Sequence, residues 1–260
     1  MKYLSIIIAA FLLLSFSPDK KHDVELIDLH IHLKGDLTIE EAIKKSEAEG
    51  IRYGIAANCG LGFPIQTDKE IAEYLEYMSQ YPQFYIGMQA EGREWLDMFS
   101  PEAIAKFDYV FTDAMTFTDA KGRRNRIWIE EETWVDDEQE FMDYLVETTA
   151  KIISTEPIDI YVNPTFLPAQ LEDKYDELWT TERMMKVIKA AKASDVAIEI
   201  NNRFKLPSEK FIKLAKKEGV MFTIGTNNID KNFPPPHFAE KMIIKCGLSN
   251  SDFWTPDMKR

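Results

Sequence analysis

Cysteine, histidine and positive charge are all scarce in this chain. It carries 2 Cys and 4 His in 260 residues, and 31 Lys and Arg against 44 Asp and Glu, for a net charge of −13. Two cysteines cannot build a disulfide scaffold or a four-thiolate zinc site. Cys59 and Cys246, far apart in sequence, are expected as free, partly buried thiols. The deficit of cations excludes nucleic acid and anionic membrane as partners, because phosphate contacts need clustered Lys and Arg. No Gly-, Ser- or Pro-rich linker divides the chain. Long apolar runs are also missing, apart from Ile6 to Phe16 behind Lys2. That run is too short to span a bilayer and reads as a leader. Residues 1–18 are therefore expected to be a signal peptide of an exported protein, periplasmic or secreted. Residues 19–260 are expected to be one domain with no stable membrane insertion once the signal is removed.

What the chain does have is a repeating unit. Short apolar runs, rich in β-branched and aromatic residues, occur at Val24–His30, Arg52–Asn58, Phe84–Glu91, Phe107–Asp113, Ile158–Asn163, Val196–Asn201 and Met221–Asn227. None contains proline, and each reads as a strand buried on both faces of a parallel sheet. Helical stretches separate them. Thr38 with Glu41 forms a capping box, and Gly50 stops that helix; Ser208 caps another, and Gly219 ends it. The other helices are expected at Asp68–Ser79, Pro101–Ala105, Asp137–Ile153, Thr181–Ala193 and Phe238–Lys245. Seven strand–helix units predict an α/β fold closed as a (β/α)7 barrel; an open doubly wound sheet is the alternative.

Every predicted strand ends in a polar residue. The ends are His30 with His32, Asn58, Glu91, Asp113, Asn163, Glu199 with Asn201, and Asn227. In α/β barrels the carboxyl ends of the strands converge on one mouth, where sites form. His30 and His32, two apart on a strand, point to the same side. Two imidazoles on one side suit a zinc ion, with manganese or iron as alternatives. Glu91 and Asp113 are the anionic strand ends best suited to complete the ligand set. Glu199 is a candidate general base, or else the group that orients a ligand. Asp113 is a second catalytic candidate. Asn58, Asn163, Asn201, Arg203 and Asn227 are expected to contact a small-molecule substrate, either a phosphate ester or something carbohydrate-like. His22 and His237 lie outside this pattern.

The motif Asp28-Leu29-His30-Ile31-His32 resembles the opening of the PHP (polymerase and histidinol phosphatase) family. The likeness continues through Ala90-Glu91-Gly92, Ala197-Ile198-Glu199-Ile200-Asn201, and the stretch from Leu206-Pro207-Ser208 to Phe222-Thr223-Ile224-Gly225-Thr226. It implies a distorted seven-stranded barrel and metal-dependent phosphoesterase chemistry on two or three ions. The chain departs from the family at several ligands. Asn58-Cys59 stands where the family has Asp-His, and Asn163-Pro164 where it has His-Pro. Thr226-Asn227-Asn228-Ile229 replaces the closing Ser-Asp-X-His, and a His expected after the fourth strand is missing. The surviving set, His30, His32, Glu91 and Asp113, implies one divalent ion. A weaker resemblance links Asp28–Gly35 to amidohydrolases, and a non-catalytic binding protein on a degenerate barrel is a further alternative.

Two long connections are candidates for specificity. Ala114–Asp136 carries Arg123, Arg124, Arg126, Trp128 and Trp134, and reads either as a lid, with Arg for an anionic group and Trp for sugar or ring stacking, or as a surface hairpin with Trp128 and Ile129 packed on the barrel. Thr165–Thr180 carries Phe166, Tyr175 and Trp179 and is a candidate second wall.

Overall fold

A computed structural model describes residues 22–259. The expected signal peptide, residues 1–18, lies outside the described residues. Nine strands are present among the described residues: β1 (Ile27–Ile31), β2 (Arg52–Gly60), β3 (Tyr85–Glu91), β4 (Tyr109–Thr112), β5 (Thr116–Thr118), β6 (Arg124–Arg126), β7 (Ile160–Tyr161), β8 (Ala197–Asn201) and β9 (Phe222–Gly225). Seven of them form a closed, all-parallel barrel in the order β1-β2-β3-β4-β7-β8-β9. These are the seven runs predicted from apolar continuity, so the barrel expectation holds and the open sheet is excluded. β5 and β6 form a separate antiparallel hairpin in the long connection after β4.

The nine helices in the described residues are α1 (Ile39–Glu49), α2 (Asp68–Met78), α3 (Trp95–Met98), α4 (Pro101–Ile104), α5 (Glu138–Thr155), α6 (Tyr175–Leu178), α7 (Thr181–Ser194), α8 (Glu209–Glu218) and α9 (His237–Cys246). The longer ones begin where the side-chain chemistry requires. Thr38, Thr67, Asp137, Thr180 and Ser208 each accept a backbone N–H of the first turn, which satisfies donors the helix cannot. Gly50, Gly219 and Gly247 end α1, α8 and α9 in the left-handed conformation. No helix among the described residues is long and apolar enough to cross a membrane.

Alternation along the strands sorts their side chains into two layers. One set packs outward against the helices, with Ile198, Ile200, Phe222 and Ile224 in the largest apolar cluster. The other set fills the barrel: Leu29, Ala56, Tyr109, Phe111, Ile160, Val162 and Ala197 cluster inside it, with Trp254 packed against them. The Tyr109 hydroxyl donates to the Leu29 carbonyl at 2.7 Å, so this buried polar atom is satisfied. The amino end of the barrel is therefore solid, and the polar strand ends face the other way.

The seam between the last and first strands is narrow. β1 and β9 share a single register pair, Asp28 with Ile224. Side chains complete the join. Asp28 accepts from the backbone N–H groups of His30 (3.1 Å) and Thr226 (3.0 Å) and from the Thr226 hydroxyl. Asn228 accepts from the His32 N–H at 2.8 Å and donates to the His32 carbonyl at 2.9 Å, copying the pairing of a neighbouring strand with an amide side chain.

Cys59 and Cys246 are both free, the first buried and the second half-buried. Burial raises the Cys59 thiol far above its usual value, so it is held as an inert thiol.

Candidate functional site

The two imidazoles of β1 are placed with opposite anchors. The His30 Nδ1 atom is 2.5 Å from Glu199 Oε1, across the barrel on β8. The His32 Nδ1 atom is 2.8 Å from the Ala56 carbonyl on β2. A carbonyl only accepts, so Nδ1 of His32 carries the proton and Nε2 holds a lone pair. Burial drives the His32 imidazole well below its usual pKa, which keeps it neutral. The same arrangement at His30, with a carboxylate as acceptor, also leaves Nε2 free. Both Nε2 atoms are buried and have no hydrogen-bond partner among the described residues. The rings lie 5.1 Å apart and nearly perpendicular, and His30 rests on Phe111 of the barrel plug at 4.6 Å.

Glu199 is 1% exposed and fully engaged. Besides His30, it accepts from the Asn163 backbone N–H at 2.8 Å and from Asn201 Nδ2 at 2.9 Å. Gly225 on β9 makes room for it. A Cβ at that position would lie 1.8 Å from Glu199 Oε1 and 2.8 Å from His30 Cβ. Glu199 does not line the cavity above, so its place fits the orienting role rather than the general base.

Asn163 links the remaining strand ends. Its Nδ2 donates to Asp113 Oδ2 at 2.7 Å. Its Oδ1 accepts from Asn201 at 3.0 Å and from Asn227 at 3.1 Å. The polar residues of β1, β4, β7, β8 and β9 and of the turns beyond them thus form one connected network running from Asp113 to His30.

Above this network lies a cavity of about 270 Å³. Asn58, Glu91, Asp113, Asn163, Arg203 and Asn227, all expected from the sequence, line it. Asn201 does not; it sits beneath, holding Glu199 and Asn163. Lys34 and Gln89, not anticipated, also line the cavity. Their signal was the same alternation that marked the histidines. Lys34 follows His32 by two residues, and Gln89 precedes Glu91 by two.

The cavity is electrostatically divided. Burial raises the Glu91 and Asp113 carboxyls, and the charge of Asp113 raises Glu91 further. Asn58 Nδ2 donates to Glu91 Oε1 at 2.7 Å, and the Met115 N–H donates to Asp113 Oδ1 at 2.9 Å. On the other side, burial and the nearby Arg203 charge lower the Lys34 ammonium. Neither the Lys34 nor the Arg203 side chain has an ion pair or hydrogen bond among the described residues.

Three expectations are corrected. His30, His32, Glu91 and Asp113 do not stand as one ligand cluster: among the described residues, no three or more His, Cys, Asp or Glu side chains form a ready metal-binding group. The carboxylates are instead drawn to Asn58, Asn163 and the Met115 N–H. The histidine pair, with two buried Nε2 atoms and with Nδ1 atoms held by Glu199 and the Ala56 carbonyl, nevertheless has the arrangement a metal asks of imidazole. Second, the arginines of the long connection are not anion contacts. Arg123 pairs with Asp119 (2.7 Å) and Asp136 (2.6 Å), Arg124 with Glu94, and Arg126 with Glu132. Third, Trp128 does not pack on the barrel; Ile127 does, while Trp128 is 40% exposed at the cavity rim. Trp179 is buried in the core rather than forming a wall. His237 opens α9 and pairs with Glu240 at 3.0 Å.

No family model matches the chain, and no curated protein matches it in sequence. Solved structures do. The histidinol phosphate phosphatase of Lactococcus lactis, solved with zinc, L-histidinol and phosphate, superposes with a TM-score of 0.62. That match covers 87% of this chain and 95% of the phosphatase at 13% identity. At that identity the likeness shows a common fold, the closed seven-stranded parallel barrel with surrounding helices. An archaeal ribonuclease P chain (TM-score 0.42, 16% identity, 90% and 93% covered) and an HpcH/HpaI aldolase of Desulfitobacterium hafniense (0.40, 12%, 78% and 86%) superpose more loosely.

Proposed function

We propose that this protein is a metal-dependent hydrolase of small phosphate esters, working with a single divalent ion. Zinc is the first choice, and manganese or iron the alternatives. The observation that carries this reading is the pair of buried, unpartnered Nε2 atoms on His30 and His32. These two would hold the ion; Glu91 is drawn to Asn58 and would have to turn toward them to serve as a third donor, and its second oxygen has no hydrogen bond among the described residues. A divalent ion there would supply Lewis-acid polarisation of the phosphoryl group. The fold shared with a zinc- and phosphate-binding phosphatase supports the substrate class without establishing it.

The chain's own residues account for the rest. Lys34 and Arg203, charged and otherwise unpaired, bind the ester's anionic oxygens. Asp113, its carboxyl raised by burial, takes the proton of the attacking water. Asn58 and Asn163 hold Glu91 and Asp113 in place. Glu199 fixes the tautomer and orientation of His30.

The test is reconstitution of chelator-treated protein with zinc, followed by metal analysis and assay on a panel of phosphate monoesters. About one bound ion per chain is expected, lost in His30→Ala/His32→Ala. Turnover should fall by at least about 100-fold in Glu91→Gln. A protein that takes up no transition metal refutes the reading. Metal uptake without hydrolysis of any ester would favour the second reading, a binding protein on the same barrel, which the neutral amides at Asn58, Asn163 and Asn227 support.

A further inference from the structure

Beside the site cavity lies a larger one, of about 540 Å³. Trp128, Arg203 and Phe204 line both, so the two are neighbours separated by these side chains. The larger cavity is walled by the two long connections together with the turn after β8. Aromatic faces dominate it. Phe166 and Phe204 meet edge to face at 4.8 Å, and the Arg203 guanidinium lies 4.8 Å from the Phe204 ring centre. Tyr175 is held at the base, within 2.6 Å of the Thr165 hydroxyl and accepting the Ser208 N–H at 3.3 Å. Glu130, Gln170 and Glu172 supply polar edges.

Volume and charge divide the labour between the two spaces. The inner cavity is smaller than the ~300–1,000 Å³ typical of small-molecule sites, whereas the outer one falls inside that range. The inner one has two unpaired cations and suits the phosphoryl group. Once Arg203 is engaged by that phosphoryl group, the outer one keeps Lys205 against Glu130 and Glu172, so a second phosphate is disfavoured there. Carboxylates and an amide around aromatic faces suit a neutral ring rich in hydroxyls: its C–H face lies on an indole or phenyl ring, and its O–H groups donate to the carboxylates.

We propose that the outer cavity is the subsite for the non-reacting part of the substrate, and that this part is a sugar or cyclic polyol. The substrate is then a sugar monophosphate whose phosphate lies under Lys34 and Arg203 and whose ring stacks on Trp128. The proposal rests on the phosphate-ester reading and adds the identity of the esterified group.

Binding separates the two ideas without turnover. Calorimetric titration of the full chain, with zinc supplied, would compare inorganic phosphate and methyl phosphate with hexose, pentose and inositol monophosphates. At least one sugar phosphate should bind about tenfold or more tightly than methyl phosphate. Trp128→Ala, at an exposed position that leaves the barrel core intact, should erase that preference while inorganic phosphate binding stays within about twofold. Equal affinity for methyl and sugar phosphates, or a preference that survives both Trp128→Ala and Phe166→Ala, would overturn the subsite. If esters are hydrolysed without a preference that depends on Trp128 or Phe166, the subsite fails and the hydrolase reading stands. A Trp128-dependent preference without hydrolysis keeps the subsite and removes the hydrolase.

Discussion

Replacing Glu199 by glutamine keeps the shape of a 1%-exposed side chain and changes only what its two terminal atoms offer. In the native protein three donors converge on the carboxylate: His30 Nδ1 at 2.5 Å, the Asn163 N–H at 2.8 Å and Asn201 Nδ2 at 2.9 Å. The last two share Oε2. A glutamine satisfies them best by keeping its oxygen there, which turns its NH₂ group toward His30. Two donors cannot face each other, so His30 must shift its proton to Nε2, the atom proposed to hold the ion. Loss of a group that orients a metal-binding histidine typically costs 10–100-fold in metal affinity, or about 1.4–2.8 kcal/mol. Competition titration of zinc against a chelating dye measures this directly, with thermal melting of the metal-free protein as a check on folding. The expected result is zinc affinity reduced about 10–100-fold with a melting temperature close to native. Unchanged zinc affinity in Glu199→Gln, alongside its loss in His30→Ala, would refute the tautomer argument.

Gly225→Ala would push a methyl group into the Glu199 carboxylate, and β9 must shift or Glu199 must turn away. Overpacking of this kind costs roughly 1–3 kcal/mol; urea denaturation should show it, together with weakened zinc binding. The stability of metal-free protein should also depend on pH. Burial raises the folded-state pKa values of Glu91 and Asp113, and the charge of Asp113 raises Glu91 further. A raised carboxyl pKa means the folded state holds protons that the unfolded chain releases. The stabilising contribution is thus complete below the ordinary carboxylate range and is lost as pH rises through the raised values. Melting temperature with chelator present should fall over that interval, and Glu91→Gln should flatten the fall.

The barrel was legible because its strands are buried on both faces and read as uninterrupted apolar runs. The membership of the site was legible because each run ends in a polar residue, and a closed parallel barrel sends all those ends to one mouth. Roles were less legible. Glu199 reads as a possible base until His30, 169 residues away, is seen to occupy it. The arginines around β6 read as anion contacts because nothing local reveals Glu94, Glu132 and Asp136 as their partners. Lys34 escaped notice although it continues the alternation of His30 and His32; the strand ends at Ile31, and the pattern carries on into the turn. α3 and α6, at four residues each, are too short to show a helical period.

The narrow seam between β1 and β9 has a consequence for how the protein comes into being. The two imidazoles belong to the first strand, but the groups that hold that strand in place are Glu199, Thr226 and Asn228, separated from it by 169 to 198 residues. A nascent chain emerging from the ribosome carries the histidines early and cannot fix their geometry until nearly all of it has followed. Contacts that span so much of the chain make closure a late and slow event. The setting of the two histidines is therefore completed only when the fold is, and a chain that stops short of Asn228 would have the histidines without their anchors.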